Sequence, residues 1–254
     1  MSTALARAGR GPLRLGVLAS GSGTNLQALL DAGAGDAADG LDGGAHRRLD
    51  AQVALVISNV AGARCLTRAA TVGVPHKLLA HQTFSSREAY DQALVAELKA
   101  HGVELVCLAG FMRLVTPVLL RAFPDRVLNI HPSLLPAFPG LHAVRQALEA
   151  GARITGCTVH FVDEGTDTGP VLIQSAVPVL DGDTEETLAN RIHAQEHPSY
   201  VRAVQLVASG AVLIVEGKRR RVQLAEPGLP RESALSLSSP PLEPLSAAAA
   251  GGPP

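Results

Sequence analysis

The sequence predicts an α/β fold: a doubly wound, mostly parallel sheet with a mixed C-terminal half. Three observations carry this. A short apolar run at 14–19 (RLGVLA) ends in Ser20-Gly21-Ser22-Gly23-Thr24 and passes into the helical pattern NLQALLDA, the strand–turn–helix opening of a βαβ unit. Strand-like and helix-like segments then alternate as far as residue 131, as crossover-connected parallel strands require. After that the chain changes character. Two long strand candidates, ITGCTVHFVD at 154–163 and PVLIQSAVPV at 170–179, follow one another across the loop Glu164–Gly169.

The elements read in order. Strand 52–58 (QVALVIS) precedes a helix near 62–73, and VPHKLL at 74–79 is a short strand. Ser86 caps a helix reaching His101, with Glu88 and Asp91 in its first turns, where acidic groups complement the helix dipole. ELVCLAG at 104–110 is a buried strand, a short helix follows Thr116-Pro117, and RVLNIH at 126–131 is the next strand; Pro suits a first helical turn because its missing N–H would be unpaired there anyway. A long helix runs from Thr184 to Ala208, and VLIVEGKRRRVQL at 212–224 is a closing hairpin around Glu216-Gly217. Residues 13–224 thus form a single domain. Residues 1–12 read as a disordered leader, 33–50 (GAGDAADGLDGGAHRRLD) as a surface loop insertion, and 225–254, rich in Pro, Ser and Ala, as a disordered tail that cannot bury enough apolar surface to order itself. In such a Rossmann-like N-terminal half, ligands bind outside the carboxyl ends of the strands. Gly21–Gly23, Gly110-Phe111-Met112-Arg113 and Asn129-Ile130-His131 fall at those ends.

Composition narrows the function. A hydrophobic content of 46% supports a substantial core, but aromatics are 3% and Trp is absent, so Val, Leu, Ala and Ile fill it. A net charge of −1 argues against general affinity for nucleic acid or anionic membrane; an anionic ligand needs a local site. There is no apolar run of roughly 18 residues, so nothing spans a membrane. The three cysteines, Cys65, Cys107 and Cys157, lie far apart, with no Cys/His metal spacing. An odd count fits a reducing compartment, and the expected location is cytoplasmic.

Two segments and one carboxylate can carry chemistry. Gly21-Ser22-Gly23-Thr24-Asn25 feeds a helix N-terminus, whose free N–H groups and dipole favour a phosphate. GxGxxG fails because Leu26 stands where a third Gly would be, and there is no Walker A Lys, so a mononucleotide-type phosphate is indicated over a dinucleotide; a tight turn that needs Gly for backbone reasons fits equally well. In Asn129-Ile130-His131-Pro132-Ser133, strand alternation puts Asn129 and His131 on one side. An amide that holds an oxyanion beside an imidazole that moves protons suits acyl transfer, although a His and an Asn that satisfy local turns would share that spacing. Asp167 could orient and charge a histidine, or simply shape its turn. His142, His160 and His197 are expected nearer the site, as supporting or core residues and not catalytic ones, and His46, His76, His81 and His101 in loops or at helix ends without a role.

Taken together, ASGSGTNLQALLDA (19–32), SREAYD (86–91), LAGFMRLVTP (108–117), LNIHPSLLPAFPGLHAVRQALEAG (128–151), TGCTVHFVDEGTDTGPVLIQ (155–174) and QEH (195–197) resemble the glycinamide ribonucleotide formyltransferase family, from about Leu15 to Val215. The resemblance implies a catalytic set of Asn129, His131 and Asp167. It implies glycinamide ribonucleotide contacts at Gly23, Thr24, Asn25 and Glu196. His193 joins these where relatives often carry Gln or Lys. It also implies a folate site of Arg87, Leu108, Met112, Arg113, Leu114, Val115, Val127, Asn129, Val162, Asp163, Glu164, Gly165 and Thr166, with Arg87 or Arg113 near the glutamate tail. The implied co-substrate is 10-formyltetrahydrofolate, with no metal; the implied partners are small molecules, with no nucleic acid and no membrane, and a homodimer stays open. The 33–50 insertion and the tail depart from the family pattern.

Rival readings differ in what they require. A formyltetrahydrofolate deformylase shares the catalytic set but normally carries an N-terminal regulatory domain, where about 12 residues precede the first strand here. A methionyl-tRNA formyltransferase would want a basic C-terminal domain. A non-catalytic nucleotide-binding module would leave the Asn129, His131 and Asp167 set without purpose, and a nicotinamide oxidoreductase is disfavoured by the broken fingerprint.

Overall fold

The computed structural model describes residues 2–4, 11–34 and 49–225. Its main sheet has seven strands: β2 (Leu13–Ala19), β3 (Ala51–Ser58), β4 (His76–Leu78), β5 (Leu105–Leu108), β6 (Val127–His131), β7 (Ile154–Phe161) and β8 (Val171–Pro178), in the order β4-β3-β2-β5-β6-β7-β8. The first five strands of that order are parallel, while β7 runs antiparallel to β6 and β8 antiparallel to β7. The sheet is therefore parallel through its first five strands and mixed at its C-terminal end.

Among the described residues six α-helices accompany it: α1 (Thr24–Ala34), α2 (Arg64–Thr71), α3 (Arg87–Ala100), α4 (Pro117–Ala122), α5 (Ala143–Glu149) and α6 (Glu185–Ala208). Their starts follow capping chemistry. Ser86 Oγ accepts from Ala89 N, and Thr116 Oγ1 from Val118 N ahead of Pro117. At α6, Thr184 and Thr187 form a reciprocal capping box with Glu185 and Glu186 in the first turn, which satisfies donors a helix start would otherwise leave unpaired.

Central strands are apolar on both sides because helices cover both faces. Along β2 and β5 the side chains divide by alternation. Leu15, Val17, Leu105 and Cys107 join Leu26 and Leu29 of α1 and Tyr200 and Val204 of α6 in one cluster. Leu18, Val106 and Leu108 join Tyr90, Leu94 and Leu98 of α3 and Leu119 of α4 in the other. Each fully buried Leu contributes about 1.5–3 kcal/mol. Tyr200 Oη lies 3.0 and 3.2 Å from the carbonyl oxygens of Leu108 and Leu128 and so ties α6 to the ends of β5 and β6.

Some expectations are corrected. In the segment read as a disordered leader, Ser2–Ala4 form a short strand, β1, antiparallel to β9 (Val212–Val215), which also pairs with β10 (Arg221–Leu224); this pairing uses backbone groups and leaves no side-chain pattern to read. Helix α5 had no counterpart among the elements read from the sequence. The β7–β8 connection spans 162–170, longer than the 164–169 loop. Helix α1 runs to Ala34, two residues into the segment read as an insertion. The rest of that insertion (35–48) and the tail beyond 225 lie outside the described residues. Among the described residues, no helix is long and apolar enough to cross a membrane, and no group of His, Cys, Asp and Glu is arranged to hold a metal ion.

Candidate active site

The turn between β2 and α1 requires glycine at residue 23. Gly23 has φ +70°, and a Cβ there would lie 2.7 Å from Cβ and 2.9 Å from Cα of Cys65. The turn is tied down from α2: Cys65 N donates to Gly21 O at 3.2 Å, and Arg68 Nε to Ser22 O at 2.8 Å. Thr24 and Asn25 open α1, where first-turn N–H groups lack intrahelical partners. Asn25 Nδ2 donates to Glu196 Oε2 at 2.8 Å; both residues are buried, and Asn25 Oδ1 has no partner among the described residues. Glu196 sits on α6 two residues before Pro198, which cannot donate to Ala194 O. His193 lies on α6 one turn before Glu196, with its side chain exposed. The structure thus joins Asn25 to Glu196 directly and leaves His193 at the surface.

At the carboxyl end of β6 a second group converges. His131 is 5% exposed, with Nε2 2.9 Å from Phe138 O and Nδ1 3.4 Å from Asp167 Oδ2. Both neighbours are acceptors, so a ring carrying both protons donates to both. Asp167 Oδ2 also accepts from Gly140 N at 2.8 Å, and Oδ1 stands 3.6 Å from His160 Nε2. Burial pushes the Asp167 carboxyl up, but the His160 contact, the Gly140 N–H and the charges of His131 and His160 outweigh it and hold the group below its ordinary value. His160 lies opposite Asn129 in the β6–β7 register, and Asn129 Nδ2 is 3.2 Å from His160 Nε2. His160 Nδ1 is 3.0 Å from Phe161 O, a carbonyl that can only accept. A neutral ring thus carries its proton on Nδ1 and accepts from Asn129 on Nε2, whereas the charged ring turns an Nε2–H toward Asp167. One N–H of the Asn129 amide is committed, which leaves the other available.

The residues expected around folate divide between a packed apolar patch and exposed side chains. Leu108, Val127, Val115 and Val162 pack together with Phe111, whereas Met112 and Leu114 expose their side chains at 65% and 61%. Arg87 Nη2 donates to Leu114 O at 3.1 Å. The Arg113 guanidinium lies 5.1 Å over the Tyr90 ring, and its Nε lacks a partner among the described residues. Asp91, buried beneath, accepts from Thr116 N and Oγ1 at 2.6 and 2.8 Å. In the loop after β7, Asp163 Oδ1 accepts from Gly165 N and Thr168 Oγ1 at 3.1 and 2.7 Å, which folds the segment that exposes Glu164, Gly165 and Thr166. Gly169 closes it: a Cβ there would lie 1.9 Å from Phe161 O.

A family profile described as formyl transferase matches residues 13–204. The chain belongs to the formyl transferase family. Within that family it is 53% identical over 199 residues to the trifunctional purine biosynthetic protein adenosine-3 of Drosophila pseudoobscura pseudoobscura, covering 78% of this chain and 14% of that protein. It is 46% identical over 204 residues to the phosphoribosylglycinamide formyltransferase of Mycobacterium tuberculosis, covering 80% of this chain and 89% of that one. The crystal structure of glycinamide ribonucleotide transformylase 1 from Symbiobacterium toebii superposes with a TM-score of 0.77 at 52% identity, over 85% of this chain and 95% of that one. The chain therefore spans about a seventh of the trifunctional relative and nearly the whole of the single-function ones.

Sequence reasoning had set His160 among the supporting histidines, although the structure puts it in direct contact with Asn129 and within 3.6 Å of Asp167. Only the strand register could have revealed this. Phe138 and Gly140, which meet His131 and Asp167 through backbone atoms, leave no side-chain signal.

Proposed function

We propose that this formyl transferase moves the formyl group of 10-formyltetrahydrofolate onto the amine of glycinamide ribonucleotide, a step of de novo purine synthesis. The observation that carries the reading is the grouping of His131 with Asp167 and, through His160, with Asn129 at the end of β6, one strand removed from the β2 turn at Gly23. The ribonucleotide phosphate takes the free N–H groups at Gly23, Thr24 and Asn25, and a donor on its sugar or glycinamide meets the unpartnered Asn25 Oδ1 and Glu196. The folate ring fits the apolar wall of Leu108, Val127 and Val162, and the loop 163–166 covers it. The unpartnered Arg113 Nε, with Arg87 nearby, suits the glutamate carboxylates.

Transfer is direct. The amine nitrogen attacks the formyl carbon, and the carbonyl oxygen becomes an oxyanion. The free N–H of Asn129 holds it, together with His131 once Nε2 leaves the Phe138 carbonyl. Removing one such donor typically costs about 10²–10³ in rate. The bond from the formyl carbon to N10 then breaks. The amine gives up one proton and N10 gains one, with His131 as the shuttle and Asp167 supporting its charged form. Alignment of the two substrates supplies roughly 7–11 kcal/mol in well-oriented cases.

The test mixes protein, 10-formyltetrahydrofolate and glycinamide ribonucleotide and follows tetrahydrofolate release. The expected result is release that depends on the ribonucleotide. Equal release without it would establish a hydrolase instead.

A further inference from the structure

Ser20 directly follows β2 and opens the Gly-rich turn, yet its side chain is committed elsewhere. Its backbone N–H donates to Gly110 O at 3.0 Å. Its Oγ accepts from Met112 N at 2.9 Å and donates to Asn59 Oδ1 at 2.6 Å. Asn59 is itself 4% exposed at the end of β3, and its Nδ2 lies 3.3 Å from His81 Nδ1. One hydroxyl therefore clips the segment after β5 to the strand beside it.

That segment needs a clip. Its Met112 and Leu114 side chains face solvent, so burial does not hold them. Its far end is fastened by Asp91 to Thr116 and by Arg87 to Leu114 O, and its near end by Ser20. Without the hydroxyl, the Met112 N–H loses its partner within the protein, and the near end keeps only backbone bonds further back, from Ser20 N to Gly110 O and from Ala109 N to Leu18 O. The phosphate turn keeps its own ties, Cys65 N to Gly21 O and Arg68 to Ser22 O.

We infer that Ser20, held by Asn59, is a positioning residue that presents the Met112–Val115 segment to folate; this rests on the function proposed above. Its effect is selective, because the hydroxyl bonds the folate-facing segment and not the turn that follows it.

The experiment compares wild type, Ser20→Ala and Ser20→Thr by steady-state kinetics in both substrates, by tetrahydrofolate affinity, and by amide hydrogen exchange at Met112 without ligand. In Ser20→Ala the KM for 10-formyltetrahydrofolate and the Kd for tetrahydrofolate are expected to rise roughly tenfold, the cost of one orphaned amide. Exchange at Met112 should accelerate, while kcat and the KM for glycinamide ribonucleotide stay within about twofold. Ser20→Thr, which keeps the hydroxyl, should restore the folate values. Unchanged folate affinity in Ser20→Ala overturns the inference. So does an equal loss for both substrates with a lowered Tm, which would mark Ser20 as merely structural. If wild type transfers no formyl group, the functional reading fails by itself, and tetrahydrofolate affinity with Met112 exchange still decides the role of Ser20.

Discussion

Asn25 Nδ2 donates to Glu196 Oε2 at 2.8 Å, joining residues 171 positions apart at the start of α1 and the middle of α6. A carboxylate 4% exposed needs such a donor, because an unpaired buried charge is costly. The bond leaves Asn25 Oδ1 without a partner among the described residues, and under the proposed function that oxygen accepts from the ribonucleotide.

Asn25→Ala removes both functions. It is expected to cost roughly 1.5–3 kcal/mol of stability, the usual worth of a hydrogen bond to a charged group, and to raise the KM for glycinamide ribonucleotide while tetrahydrofolate affinity stays at the wild-type value. Urea denaturation and a binding titration on one preparation check this. A wild-type KM for the ribonucleotide would take Asn25 out of that site.

Gly23→Ala tests the turn. An alanine at φ +70° meets left-handed strain of about 1–2 kcal/mol and pushes against the Cys65 backbone. Tm is expected to fall and the KM for glycinamide ribonucleotide to rise, with little change for folate. Shaving Cys65 to Ala cannot rescue it, because the Cβ and Cα that clash remain.

How much of this was legible depends on what kind of contact each residue makes. β2 and β5 announce themselves because strands buried on both faces must be apolar throughout. Asn129 and His131 share a side by simple alternation, and the capping residues Ser86, Thr116 and Thr184 carry their meaning locally. Contacts across the fold do not. His160 meets Asn129 only because β7 pairs antiparallel in one register, and a slip of one residue would turn it away. Ser20 looks like part of a Gly-rich turn until its partner, 92 positions later, is known. Helix α5 hides behind the proline-rich stretch 132–139 and a left-handed residue, His142 at φ +60°, which gives no helix-start signal.

His160→Ala tests the register contact. It removes the acceptor that orients the Asn129 amide, so kcat is expected to fall about tenfold or more, in the range of a misaligned oxyanion donor. The KM for glycinamide ribonucleotide should hold. His160→Gln offers an acceptor at similar reach and should recover part of the rate. Equal rates in both variants and wild type would leave His160 as packing alone.

Asp167→Asn separates charge from shape. Asp167 has φ +55°, a conformation asparagine also tolerates, and an amide oxygen still accepts from Gly140 N, so the turn should survive. What disappears is the negative charge 3.4 Å from His131 Nδ1. A carboxylate there holds the ring in place and, in the proposed mechanism, offsets the positive charge that the ring carries during transfer; without it kcat is expected to drop about 10²-fold or more. The KM for glycinamide ribonucleotide should change little, because the Gly23 turn is a separate contact. Stability supplies an independent reading. The folded carboxyl titrates below its ordinary value of 3.8, so the folded state holds its proton less tightly than the unfolded chain does. The stabilisation from the charge is therefore complete above that ordinary value and is lost as pH falls through the folded one. The Tm advantage of wild type over Asp167→Asn should shrink as pH falls below about 4. A folded Asp167→Asn with wild-type kcat would remove the carboxylate from the chemistry. A Tm gap that stays constant through that acid range would mean that its charge is not what the fold uses.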